Sequence, residues 1–479
     1  MKRLGLMAIG LSGLLGMAVG TRAEAQEERS SRLSLDGGAE LRARYEWMEN
    51  LPGAYGQLGQ NYADRLRLRA KLWGSAYVGD YGLFASLYDE VHEHHNFRGS
   101  RNNQHFPGWL ILDNLYFDMN NLLNDRVDVR IGRQDMQYGE GRVIANGNPG
   151  ETDRFAFNAI KTTTRVTEAT KADVFATYLP SGEDHLAVGD RNTGYYPSSY
   201  RNAYGSTETD NGVREWGVGT YWTVEEIDTL PMEFYLLYKN ESRWYLDGAD
   251  RSARIPGRSY GTAGLRLMPK FTEALAGEFE GAYQFGRTES YSGGGVDDQL
   301  ISAFMLYGGL TYTETEWAWS PYVKAAALFL SGDSKESVND REGGPTATAT
   351  GWNPVYARYI YLGEVPAGMY GGCRWSNLIW PYGEIGFTPF NDRHAFRVQS
   401  GPMFAHRDDR VGAPADDDSS YRGWYTQLSY DYMIIKEVVN NRGSLMGRIM
   451  LEDMIYGDYF YGDTPSNGYF FRVELVATF

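Results

Sequence analysis

Along most of this chain, polar and apolar residues trade places at every second position. Arg65, Arg67, Arg69 and Lys71 alternate with Leu66, Leu68, Ala70 and Leu72. Arg42, Arg44 and Glu46 oppose Leu41, Ala43, Tyr45 and Trp47, as Asp128 and Arg130 oppose Val127, Val129 and Ile131. Glu278, Glu280 and Gln284 oppose Phe279, Tyr283 and Phe285, and Arg448 shares its parity with Glu452. In the last segment Tyr469, Phe471, Val473, Leu475, Ala477 and Phe479 fall on one parity. Arg472, Glu474 and Thr478 fall on the other, together with apolar Phe470 and Val476. Period two is the mark of a strand with one set of side chains on each face. The pattern predicts eighteen strands, at 33–48, 61–78, 82–91, 109–119, 126–137, 154–166, 170–180, 213–224 and 231–241, then 258–268, 274–288, 299–313, 317–331, 371–387, 394–405, 420–433, 443–456 and 467–479.

The joins between these segments alternate in length. Those at 79–81, 120–125, 167–169, 225–230, 269–273, 314–316, 388–393 and 434–442 are short, whereas most of the others are longer and rich in Gly, Asp, Asn and Ser. A soluble sandwich has no reason to alternate this way. A transmembrane antiparallel β-barrel does, with short periplasmic turns, long outer loops and an even strand number. Arg or Lys facing lipid at mid-membrane costs about 2–4 kcal/mol, so the charged parity is assigned to the lumen. Trp47, Trp73, Trp109, Trp222 and Trp380, near strand ends, are expected in the interfacial girdles. A barrel of about 18 strands is wide enough to hold water unless loops plug it; the segment 332–370, with its "GGPTATATG", is the chief candidate for an inward fold.

The chain's start is consistent with export. Lys2 and Arg3 precede an apolar run from Leu4 to Val19 and then Ala23-Glu24-Ala25, the pattern of a signal peptide over 1–25, followed by a single barrel domain over 26–479. The C-terminal Phe479 resembles the recognition signal of bacterial outer-membrane proteins, which directs the expectation to the outer membrane. Aromatics make up 14% of residues, 36 of them Tyr, yet mean hydropathy is −0.48, as a polar lumen beneath a thin greasy band requires. With Cys373 as the sole cysteine, no internal disulfide can form. Cleavage would remove Lys2, Arg3 and Arg22 against Glu24 alone, taking the formal charge from −16 to −18. So acidic a chain is not expected to bind nucleic acid.

The candidate chemistry is the density of lumen-facing cations in the first third: Arg42, Arg44, Arg65, Arg67, Arg69, Lys71, Arg130, Arg154 and Arg165. Rings of Arg or Lys in a pore favour anions, and guanidinium pairs bidentately with carboxylate. The competing reading is structural, with these cations paired to wall acids such as Glu46, Asp128, Asp173, Glu278 and Glu280. His92 and His94 share a parity but lack a carboxylate at fixed spacing, and Asp408, Asp409, Asp416, Asp417 and Asp418 lack ordered ligand spacing, so no metal or cofactor is expected. No Gly-x-Ser-x-Gly motif or other hydrolase signature is present, so an enzyme is not expected.

The stretches "RLRLRAKLWGSAYVGDYGLFASLYDE" and "NLYFDMNNLLNDRVDVRIGRQDMQYGEGRVI" resemble the alginate-export family of outer-membrane channels, above all in "VRIGRQDMQYGEGR". The resemblance covers roughly 33–180. It implies a monomeric 18-stranded barrel whose arginines attract a polyuronate, with Arg65, Arg67, Arg69, Arg130, Arg133 and Arg142 lining the pore and Asp135 and Glu140 as acidic partners. Arg133 has the wrong parity for the lumen in a regular strand; a bulge or a rim position would reconcile it. The expected partners are outer-membrane lipid and an anionic polysaccharide or small anionic solute, together with periplasmic polysaccharide-secretion components. A general or nutrient-specific porin for small solutes is the alternative, and a barrel hydrolase the third reading.

Overall fold

In the computed structural model the described residues are 33–51, 62–94, 104–105, 110–146, 156–179, 186–187, 215–242, 244–245, 254–255, 257–292, 295–332, 348–352, 355–356, 362–369, 376–389, 393–408, 419–437, 443–460 and 466–479. Eighteen strands form the wall. They are β1 (Leu33–Glu49), β2 (Tyr62–Val78), β3 (Tyr81–His94), β4 (Ile111–Asn121), β5 (Val127–Gln134), β6 (Phe157–Arg165), β7 (Thr170–Leu179), β8 (Glu215–Val224) and β9 (Met232–Glu241). The circuit continues with β10 (Arg258–Leu267), β11 (Leu275–Ser292), β12 (Gly295–Thr313), β13 (Tyr322–Leu330), β14 (Leu378–Phe387), β15 (His394–Phe404), β16 (Tyr421–Ile435), β17 (Ser444–Tyr456) and β18 (Asn467–Thr478). Each pairs antiparallel with the next, and β1 pairs with β18 from Glu40↔Thr478 to Glu49↔Tyr469. The sheet is therefore closed into a barrel, which is what a lipid environment demands of a strand-built structure.

The faces sort as the alternation predicts. Leu41, Leu68, Leu72, Ile131, Val174, Leu236, Phe279, Leu306, Val323 and Leu475 point outward and are exposed, while Arg44, Arg67, Glu90, Glu280, Glu452 and Arg472 point inward and are buried. Four expectations change. Trp380, assigned to the lipid girdle, is 1% exposed and faces the lumen, stacked on Tyr382 with ring centroids 4.2 Å apart. Strand β13 begins at Tyr322 rather than 317, because Trp317 and Trp319 belong to a turn closed by Glu314 N→Pro321 O and Ser320 N→Trp317 O, both 2.9 Å. Strand β14 begins at Leu378 rather than 371. Strands β11 and β12 run on into a hairpin where a loop at 289–298 was expected. Trp109, Cys373 and the acidic run 409–418 lie outside the described residues.

The lumen is filled in part by the chain itself. Beyond β5 the backbone turns inward at 135–145. Gly139 (φ 54°) and Gly141 (φ 74°) supply the left-handed conformations of a tight turn, closed by Gly141 N→Tyr138 O (3.0 Å) and Tyr138 N→Ile144 O (3.1 Å). A second inward segment includes 348–352, 355–356 and the short helix α1 (Glu364–Met369). The two segments join through Tyr356 N→Val143 O and Ala145 N→Tyr356 O, both 3.0 Å. Met136, Val143, Ile144, Trp352, Val355, Tyr356 and Val365 pack with Phe157, Phe175, Tyr221, Leu237, Met305, Trp380 and Tyr425 of the wall into one apolar cluster. Gly217 on β8 makes room for it: a Cβ there would lie 1.4 Å from the Tyr356 hydroxyl. The fully buried members of the cluster come from the inward segments, the loop residue Phe460 and strands β6–β18, none from β1–β5.

Candidate functional site: the lumenal charges

The arginines of β1 and β2 do project inward, and they are largely neutralised there. Glu46 is the hub. Its carboxylate takes Arg65 Nε at 2.5 Å, Arg472 Nη2 at 2.9 Å, and Arg44 and Arg67 Nη1 each at 3.4 Å. Glu90 on β3 takes Arg42 at 2.5 Å, Arg67 at 2.7 Å and His92 Nε2 at 2.7 Å. Glu474 takes Arg44 at 2.5 Å and Arg448 at 3.7 Å, and Arg69 pairs with Glu40 at 2.6 Å. Arg42, Arg44 and Arg67 are at most 2% exposed, sealed within this lattice. Among the β1–β2 arginines Arg65 is the most exposed, with 24% of its side chain accessible. Desolvation at this depth is offset because Arg44 and Arg67 each meet two carboxylates, and Glu46, Glu90 and Glu474 each meet two or more cations.

The other expected residues take distinct places. Lys71 pairs with Asp113 on β4. Arg130 grips Asp118 through two bonds of 2.7 and 3.0 Å, its guanidinium 3.8 Å over the Tyr116 ring. Arg165 pairs with Asp128 and donates to Asp125 O at 2.8 Å, stapling the β4–β5 turn, in which Leu123, Asn124 and Asp125 all have positive φ. Arg133 does not line the lumen in the expected manner. Strand β4 carries a bulge at Asp113, skipped between the pairs Ser86↔Asn114 and Leu87↔Leu112. Arg133 Nε donates to the carbonyls of Leu112 and Asp113 at 2.9 and 3.1 Å. The bulge is thus in the partner strand, and Arg133 satisfies its main chain. Arg154 lies outside the described residues.

Arg142 crosses the lumen. Carried on the inward turn, its Nη1 lies 2.7 Å from both Glu278 and Glu280 of β11, and its guanidinium sits 3.6 Å over the Tyr307 ring. Glu140 meets Arg266 at 3.3 Å, and Asp135 accepts from Asn114 at 3.2 Å. Glu140 therefore meets Arg266, a cation outside the set the resemblance implied. Tyr138 donates to Asp173 at 2.5 Å and stacks on Tyr221 with centroids 4.3 Å apart. The turn is pinned to β7, β8, β10 and β11. Helix α1 is held from the other side: Glu452 accepts from the amides of Glu364 (3.0 Å) and Val365 (2.8 Å), while Glu364 pairs with Arg472 at 2.6 Å.

Sequence reasoning missed Glu40, Glu90, Asp113 and Asp118 as partners, and Lys324 and Arg397 as lumenal cations. Their parities were readable: Glu90 shares its face with Tyr88 and His92, and Lys324 with Ala326 and Leu328. Cross-strand register, which pairs Arg67↔His92 and Arg69↔Glu90, was not. Among the described residues no cluster of His, Cys, Asp or Glu suited to a metal is present.

No protein-family model matches the chain, and no curated protein matches it. The fold is similar to three solved structures. OccAB1 of Acinetobacter baumannii is 11% identical, with 95% of this chain and 99% of that chain covered and a TM-score of 0.54. OccK7 (OpdD) of Pseudomonas aeruginosa is 10% identical, with 93% and 98% covered and a TM-score of 0.53. OccK5 (OpdH) of the same organism is 10% identical, with 92% and 98% covered and a TM-score of 0.52. These are outer-membrane β-barrel channels. The chain is accordingly an 18-strand antiparallel β-barrel of the bacterial outer membrane. The likenesses leave the alginate-export resemblance of 33–180 without support.

Proposed function

We propose that this barrel is a channel for small solutes, with a preference for those carrying a carboxylate, and performs no bond chemistry. The observation that carries this reading is the joined pair of inward segments, which fills part of the lumen with a packed apolar cluster pinned across the barrel by Arg142. A passage narrowed by tightly packed side chains suits a small solute better than a polymer. The likeness in fold to OccAB1, OccK7 and OccK5 supports a channel and lends no support to polysaccharide export. The test is single-channel recording on the refolded mature barrel in planar bilayers. Chloride and gluconate are expected to carry current, and uronate oligomers to be excluded without crossing. Translocation of uronate oligomers would restore the polysaccharide reading, and absence of any current would overturn the channel itself.

A further inference from the structure

The lattice around Glu46 and Glu90 leaves its arginines little capacity for a passing anion. Two cations on the opposite wall differ. Lys324 on β13 faces inward, on the parity of buried Ala326 and Leu328 and opposite to exposed Val323. Its Nζ makes no ion pair with a described residue; its contact is the Tyr307 ring, 5.5 Å away. Glu384, its register neighbour on β14, is engaged by the Tyr322 hydroxyl at 2.7 Å. Arg397 on β15 is also half-buried and inward-facing. It donates Nη2 to the neutral Gln427 Oε1 at 3.2 Å, pairs with no described carboxylate, and has an enclosed Nε with no hydrogen-bond partner.

Lys324 and Arg397 flank Glu384: Lys324 is its register partner, and Arg397 pairs with Gly386, two residues along the same strand. Both lie close to the short-turn ends of their strands, two and three residues past the starts at Tyr322 and His394. They therefore stand at the periplasmic mouth of the barrel. Lys324 and Arg397 thus face one acid that already accepts a hydroxyl, while Arg142, on the same Tyr307 ring, is matched by Glu278 and Glu280.

We propose that Lys324 and Arg397 form a carboxylate-binding station at the periplasmic mouth, the last step at which a small organic anion is held in the channel. This rests on the small-solute reading above. A carboxylate there takes Lys324 Nζ on one side and the free edge of Arg397 on the other, the geometry in which charge-assisted hydrogen bonds are strongest.

The test is block of chloride current by gluconate added on the short-turn side, in the wild-type barrel, in Lys324→Gln/Arg397→Gln and in Arg65→Gln/Arg67→Gln. Lys324→Gln/Arg397→Gln is expected to weaken block by roughly fivefold per charge removed, the Coulomb value for unit charges about 4 Å apart in water. Arg65→Gln/Arg67→Gln is expected to block as the wild type does. Undiminished block in Lys324→Gln/Arg397→Gln, or no gluconate block in the wild type, overturns the station while the channel reading stands. Absence of current in the wild type overturns the channel reading instead. Lys324→Arg/Arg397→Lys keeps both charges and is expected to retain block, which separates loss of charge from damage to the wall.

Discussion

At the scale of single residues, Glu46 is where the lumenal charges converge. It is fully buried and holds Arg44, Arg65, Arg67 and Arg472 on one carboxylate. Removing one partner of a buried ionic group leaves the others uncompensated, at about 3–5 kcal/mol. Glu46→Gln should lower the urea midpoint of the folded barrel in micelles accordingly; an unchanged midpoint would show that the lattice contributes no stability. His406, just beyond β15, provides a pH-dependent contact. Its Nδ1 accepts from Gly332 N at 3.0 Å, which requires the neutral ring. Partial burial, then the neighbouring Arg407, lowers its pKa. A lowered folded pKa means that the contribution to stability is complete above the ordinary imidazole range and is lost as pH falls through the lowered value. Protection of the Gly332 amide, corrected for intrinsic exchange, should therefore fall as the pH drops below the ordinary imidazole range. In His406→Asn, where the acceptor cannot titrate, that fall should be absent.

At the scale of elements, the inward turn 135–145 is the part most open to experiment. Arg142 ties it to Glu278 and Glu280, and removing one partner of such a buried cluster costs about 3–5 kcal/mol. Arg142→Gln is expected to loosen the turn, raising both open-channel conductance and current noise. A variant with wild-type conductance would remove 135–145 as the narrowing element. The sequence "MQYGEGR" looked like pore lining. It is better described as a glycine-permitted turn that delivers one guanidinium across the lumen. Periodicity could not reveal this, because the turn has no period and its partners on β11 lie more than a hundred residues away.

For the whole molecule, the strand count, the closed antiparallel order and the inward and outward faces were legible in the alternation, since each depends on local polarity alone. Trp380 marks the limit of that reading. An indole near a strand end looks like a girdle residue, and only the apolar cluster inside the barrel, with Tyr382 and Tyr425 against the ring, makes an inward position favourable. The same holds for the cations. Local pattern placed Arg42, Arg44 and Arg67 in the lumen, but which acid meets which guanidinium depends on register between strands up to 430 residues apart.

The seam between the first and last strands adds one more consequence. Arg44 stands opposite Glu474, and Glu46 opposite Arg472. A slip of one residue would turn greasy side chains inward, so polarity forbids it. A slip of two preserves every face, and polarity cannot detect it. The seam charges can. Moved two places one way, Arg44 would confront Arg472; moved the other way, Glu46 would confront Glu474. Like charges directly opposite are destabilising. The two ends of the chain thus carry a proofreading code for cyclisation, one that accepts a single phase when the final hairpin meets the first and rejects its nearest lookalikes on either side.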